Sequence, residues 1–173
     1  MNGPGTISLI GMPGCGKSTV GIILAKQLGM RIVDSDLDIQ SRAGRSLQSI
    51  LDMEGYTALR RREEEVLLDI DLHNAVLATG GSAVYSDAAV ARLQAAGPLV
   101  YLQADVAALR QRIAAAPPRG IASEPELSLE QLCAQRIPLY ERFASLTIVT
   151  DNKTPQQIAI DIATSLPGDN QPR

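Results

Sequence analysis

Short apolar runs alternate along the chain with longer stretches in which apolar residues recur every three or four positions. That alternation is the pattern of strands joined by crossover helices around a parallel sheet, so the fold class read from it is α/β. The runs at 6–10, 30–33, 75–79, 99–102 and 146–150 are short and mostly apolar, and they read as five strands covered on both faces. After the first run, Val20, Ile23, Leu24 and Leu28 repeat at helical spacing over 17–28, and Gly29 follows as a left-handed cap. Later helices are predicted to start at Ser46, at Ser86, at Ser128 with Gln131 three residues on, and at Thr154 with Pro155 behind it. A further helix is expected around 55–72. Residues 114–126 interrupt the pattern with three prolines and a glycine, and read as a mobile loop or lid. The polar segment 167–173 is expected to fray as a flexible tail, leaving 1–166 as a single domain.

Composition narrows the function classes. The chain has 173 residues, enough for one ordinary domain, and 45% of them are hydrophobic. Sixteen Lys and Arg against nineteen Asp and Glu leave a net charge of -3, so no overall basic field exists to hold a polyanion by counterion release. With four Tyr, one Phe and no Trp there is little material for stacking bases, and nucleic acid is not expected as a partner. No apolar run approaches the roughly 18 residues of a membrane span, and Met1 to Thr6 lacks a leader pattern, so a cytoplasmic, membrane-free protein is expected. Cys15 and Cys133 are too few for a disulfide scaffold or a four-ligand zinc site and read as reduced thiols.

The strongest chemical signal is Gly11-Met12-Pro13-Gly14-Cys15-Gly16-Lys17-Ser18, a complete G-x-x-x-x-G-K-[ST] P-loop between the first strand and the first helix. Glycines at 11, 14 and 16 let the backbone curl until successive N–H groups point inward, and the helix start adds its positive dipole end. Lys17 is placed to bridge β- and γ-phosphates and Ser18 to ligate Mg²⁺, with Thr19 beside it; Cys15 is a spacer in the loop. ATP and Mg²⁺ are therefore the expected cofactors. A P-loop serves GTPases, motors and small-molecule kinases alike, so the acceptor side has to decide.

Four features lie at strand ends or in the interrupted region. Asp34-Ser35-Asp36 closes the second strand, where open α/β sheets bind ligands; Asp34 can support Mg²⁺ and Asp36 can take a proton from a substrate hydroxyl, unless both are only turn or helix-start carboxylates. Arg60-Arg61-Arg62 followed by Glu63-Glu64-Glu65 reads, as a run, as a solvated ladder of weak pairs. The third apolar run ends in Thr79-Gly80-Gly81-Ser82, where bare glycines let a ligand approach the backbone. Arg119 in the suspected lid and Arg136 beyond it are candidates for phosphate or carboxylate. His73, the lone histidine, reads as a surface residue.

Together these residues resemble the shikimate kinase family. The likeness runs from about Thr6 to about Leu166 and takes in the P-loop, Asp34-x-Asp36, Gly44-x-Ser46, Gly55 with Arg60 and Glu63, Ala78-Thr79-Gly80-Gly81, Arg112 with Arg119, and Arg136-Ile137-Pro138-Leu139-Tyr140. It implies a nucleoside-monophosphate-kinase-like core, and transfer of the ATP γ-phosphate to the 3-hydroxyl of shikimate in aromatic amino-acid biosynthesis. Apart from that likeness, a monomer is expected. Carried over by position, the likeness implies that Lys17, Asp36 and Arg119 serve catalysis. It further implies that Arg60 and Arg136 clamp the substrate carboxylate with Glu63 orienting Arg60, that Gly80, Gly81 and Ser82 line the acceptor, and that Arg112 and Pro155 flank adenine. The sequence departs from the family on the acceptor side: Ser82 replaces a glycine, Leu51 and Leu59 replace phenylalanines, Tyr56 replaces a glutamate, and the lid reads Arg119-Gly120-Ile121-Ala122. These departures keep open a kinase for another hydroxy acid or polyol, and the residues alone also admit a catalytically silent nucleotide-binding module.

Overall fold

The computed structural model describes residues 5–118 and 120–166; Arg119 and the tail 167–173 lie outside the described residues. Its centre is a five-stranded parallel sheet in the order β2-β3-β1-β4-β5, from β1 (Ile7–Ile10), β2 (Arg31–Asp34), β3 (Ala75–Ala78), β4 (Leu99–Gln103) and β5 (Leu146–Val149). Around it run α1 (Lys17–Leu28), α2 (Ser35–Ala43), α3 (Leu47–Asp69), α4 (Asp87–Ala96), α5 (Val106–Ala115), α6 (Leu129–Phe143) and α7 (Pro155–Ser165). β1 sits between β3 and β4, so the chain leaves the middle of the sheet on either side, and a crevice opens at the carboxyl end of β1.

All five expected strands form, within a residue or so of their predicted ends. Their burial corrects one expectation. β1 and β3 are buried throughout and β4 in all but its last residue, as double-sided cover requires, but β2 and β5 are sheet edges: Ile32 is 42% exposed and Val149 48%. An apolar run reports that a strand can be covered, not where it lies in the sheet.

Helix starts follow the caps. Ser46 and Ser86 each accept from the N–H three residues on, and Ser128 with Gln131 and Thr154 with Gln157 form reciprocal capping boxes. The helix expected from Ser46 and the one expected around 55–72 run together as α3, which begins at Leu47, breaks at Gly55 with φ 83° and ψ 171°, and ends at Asp69. Such backbone is open to glycine, which is why the break falls there. Glu54 braces the break: Arg62 beyond it and Arg45 before it both bond its carboxylate and hold its carboxyl below the usual range.

Thr154→Ala removes the cap of α7, whose inner face of Ile158, Ala159 and Ile162 packs in the core. The expected loss is about 1 kcal/mol, which lowers the melting temperature by roughly 2–4 °C in a chain of this size. An unchanged melting temperature contradicts the cap's contribution.

Candidate active site

β1 delivers the P-loop to the crevice. Gly14 has φ 83° and Gly16 φ 101°, so the loop's tight curl uses backbone that L side chains adopt only with strain. Lys17 is buried, and its Nζ donates to the carbonyls of Gly11 at 2.7 Å and Met12 at 2.9 Å. Ser18 and Thr19 open α1 at the exposed rim of the cleft. Cys15 turns inward: it is 1% exposed, its Sγ takes a 3.6 Å bond from Lys17, and its N–H reaches Met12 O at 3.2 Å. A spacer packed into the core fits that position.

Asp34, at the end of β2, uses both oxygens. Oδ1 caps α2 by accepting from the N–H of Asp36 at 3.0 Å, while Oδ2 accepts from the Ser18 hydroxyl at 2.6 Å. The helix-start reading of this carboxylate is thus realised. Capping also fixes where the first turn of α2 begins, and Asp36, in that turn, lines the cleft. The hydroxyl and carboxylate of Ser18 and Asp34 offer hard oxygen donors at the mouth of the phosphate loop, a set that fits a Mg²⁺ ion retaining water and phosphate oxygens.

β3 brings the second wall. The N–H of Gly80 donates to the Ser35 hydroxyl at 2.9 Å, which ties the glycine turn to the start of α2. A Cβ at Gly80 would strike Oε1 of Glu63 and come within 2.8 Å of Oδ1 of Asp36, so two carboxylates face the same bare α-carbon. At Gly81 a Cβ would stand 2.7 Å from a terminal guanidinium nitrogen of Arg136, and the Gly81 carbonyl accepts from the Tyr140 hydroxyl at 2.6 Å.

The arginine-glutamate run is not one ladder. Arg61 and Glu65 do form an exposed pair at 3.6 Å, but Arg62 turns to Glu54, Glu64 accepts from Ser86 at 2.6 Å, and Glu63 is 4% exposed. Glu63 and Arg60 have separate partners here. Glu63 Oε2 accepts from the Ser82 hydroxyl, while Arg60 lies over the Tyr85 ring at 4.1 Å and the Tyr56 ring at 5.1 Å. An aromatic face holds a guanidinium without neutralising it. Arg60 Nε and a terminal nitrogen of Arg136 donate to one atom, the Ala122 carbonyl, at 3.0 and 2.8 Å. The two cations therefore converge, and they meet on the 114–126 connection. Within that connection Ala122 is buried, and a Cβ at Gly120 would stand 2.5 Å from the Leu47 carbonyl.

These walls enclose a cleft of about 840 Å³ that runs from the P-loop past Asp34, Asp36 and Glu63 to Arg136. Arg112 and Pro155 line its outer end, where Arg112 donates to the Gly14 carbonyl at 3.4 Å. Leu59 lines it too, whereas Leu51 packs against the core. Tyr85, Ser35 and the Ala122 carbonyl were not singled out in the sequence. Ser35 had a signal, being held between the two aspartates; a main-chain carbonyl has none.

Residues 13–167 match the family model for shikimate kinase. The chain belongs to the shikimate kinase family. A shikimate kinase of Nitrosospira multiformis is 38% identical over 165 residues, 94% of this chain and 85% of its own length. One from Pseudomonas entomophila is 40% identical over 157 residues, 89% of this chain and 91% of its own. Among solved structures, a shikimate kinase from Acinetobacter baumannii in complex with shikimate superposes with a TM-score of 0.80 at 31% identity, covering 94% of this chain and 96% of that one. This shikimate kinase family member is an ATP-using kinase with the parallel-sheet core that the alternating pattern predicted.

Burial, then the neighbouring Asp36, raises the Glu63 carboxyl to about 7, with the Ser82 bond, Arg136 and Lys17 opposing the rise. Native Glu63 thus keeps a proton that the unfolded chain releases near 4.5. Between those values the native state binds more protons, so its stability falls as pH rises through that window. Glu63→Gln removes this slope. Melting temperatures at pH 4.5 and pH 8 should show the variant gaining on the wild type at the higher pH; an equal gap at both contradicts the assignment.

Proposed function

We propose that this chain transfers the γ-phosphate of ATP to the 3-hydroxyl of shikimate. The observation that carries the reading is the convergence of the P-loop, Asp36 and two guanidinium groups on one cleft, in a member of the shikimate kinase family. ATP would lie with its phosphates against the backbone of Gly11 to Gly16 and its base toward Arg112 and Pro155. Lys17 would bridge β- and γ-phosphates, a move that requires Nζ to exchange its two loop carbonyls for phosphate oxygens. Ser18 and Asp34 would hold Mg²⁺, which neutralises charge on the phosphates as it develops.

On the other side, Arg60 and Arg136 would take the shikimate carboxylate in place of the Ala122 carbonyl they now share. The glycines at 80 and 81 let the ring approach the backbone, and Asp36 accepts the hydroxyl proton as its oxygen attacks phosphorus. Arg119, carried over by position from the family likeness, would stabilise charge on the transferring group. Transfer is direct, with positioning and electrostatics doing most of the work. We take the chain to act as a monomer. A cytosolic setting fits its two free buried thiols.

Among the departures that kept another acid open, Ser82 has its hydroxyl engaged with Glu63, which weakens the case it makes for a different acceptor. ADP release measured over a panel of hydroxy acids tests this. Shikimate should give turnover of about 1–100 s⁻¹, the usual kinase range; silence with shikimate beside clear turnover of another acid contradicts the reading. Asp36→Asn should lower kcat by about 10²–10⁴-fold while ATP still binds. A kcat near wild type would remove Asp36 as the base.

A further inference from the structure

Ser82 occupies the N-cap position of a single 3-10 turn, Ala83–Tyr85, but its side chain caps nothing there. Its backbone, at φ −98° and ψ 2°, suits any L residue, so conformation alone does not select serine. The hydroxyl donates to Oε2 of Glu63, and both side chains are buried, at 5% and 4% exposure. Oε1 of the same carboxylate has no hydrogen-bond partner among the described residues, and it faces the α-carbon of Gly80 on the side where Oδ1 of Asp36 also lies. Gly80, Asp36, Glu63 and Ser82 all line the cleft.

A buried carboxylate with one oxygen fixed by a donor cannot turn about its last torsion without breaking that bond, and in a buried site an unmade bond is costly. Arg60, the partner the family resemblance implied for Glu63, is held by Tyr85 and Tyr56. Ser82 is therefore the only side chain among the described residues seen to hydrogen-bond Glu63.

We propose that Ser82 is a positioning residue for the acceptor site: its donated bond pins Oε2 of Glu63, so that Oε1 is presented beside Asp36 to a hydroxyl-bearing acceptor. This rests on the reading of the cleft as the shikimate site. The role is indirect, because the serine shapes the acceptor contact through Glu63 and leaves the nucleotide side untouched.

The experiment compares Ser82→Ala, Glu63→Ala and the double variant in steady-state kinetics. Ser82→Ala should raise the KM for shikimate about tenfold, the usual cost of one lost buried bond, with kcat within about threefold and the KM for ATP unchanged. In the Glu63→Ala background the serine change should add nothing. A wild-type KM in Ser82→Ala overturns the proposal, and so do single penalties that add in full. A second measurement needs no turnover: the side-chain ¹³C shift of Glu63 followed against pH. The charged groups facing Glu63 are Asp36 from α2, Arg136 from α6 and Lys17 from α1, and all are retained in Ser82→Ala. Loss of the donor should move the Glu63 midpoint upward, and an unmoved midpoint overturns the proposal. If the wild type ignores shikimate while the midpoint moves, the Ser82–Glu63 link stands and the acceptor assignment falls.

Discussion

Two carboxylates, from the first turn of α2 and the middle of α3, press into the space that a side chain at residue 80 would fill. Everything around the acceptor end of the cleft serves to make that crowding tolerable. Asp36 is placed by the Asp34 cap, and the cap carboxylate is itself tied to Ser18 at the start of α1. Glu63 is placed by Ser82, with Arg136 and Lys17 supplying opposite charge nearby. Gly80 is held by Ser35, the residue between the two aspartates. The phosphate loop and the acceptor pocket are thus joined by side chains reaching between strand ends, and the strand order that sets β1 beside β3 is what allows it.

Charge follows the same plan. Like charges so close cannot both ionise freely in a sheltered site, and the strain appears at Glu63, whose carboxyl is raised to about 7. Asp36 is only partly buried. The arginines rest on aromatic rings and a carbonyl: Arg60 is stacked on tyrosines, and Arg136, 1% exposed, lies 5.5 Å from the Tyr85 ring and donates to the Ala122 carbonyl. Both guanidinium groups also share one neutral oxygen, the Ala122 carbonyl.

Local constraints were legible in the sequence and relational ones were not. The P-loop could be read because its glycines and lysine act within eight consecutive residues, and the serine and threonine caps because each acts on the third residue after it. The edge positions of β2 and β5 depend on strand order, which no single run encodes. Arg60, Arg61 and Arg62 are chemically identical neighbours, and only the phase of α3 after its break at Gly55 sends one to the tyrosines, one to solvent and one to Glu54. The same phase carries Glu63 inward to Ser82. The Ala122 carbonyl was invisible for a different reason, since every residue has one and only the docked connection gives this one two guanidinium partners.

The account stands on a single direct transfer between two ligands held at opposite ends of one cleft. Stereochemistry tests it most directly: ATP made chiral at its γ-phosphorus with oxygen isotopes is turned over with shikimate, and the configuration of the product is read by ³¹P NMR. One in-line displacement predicts inversion at phosphorus. Retention would mean that the phosphoryl group stops on the protein on its way, and would contradict the arrangement described.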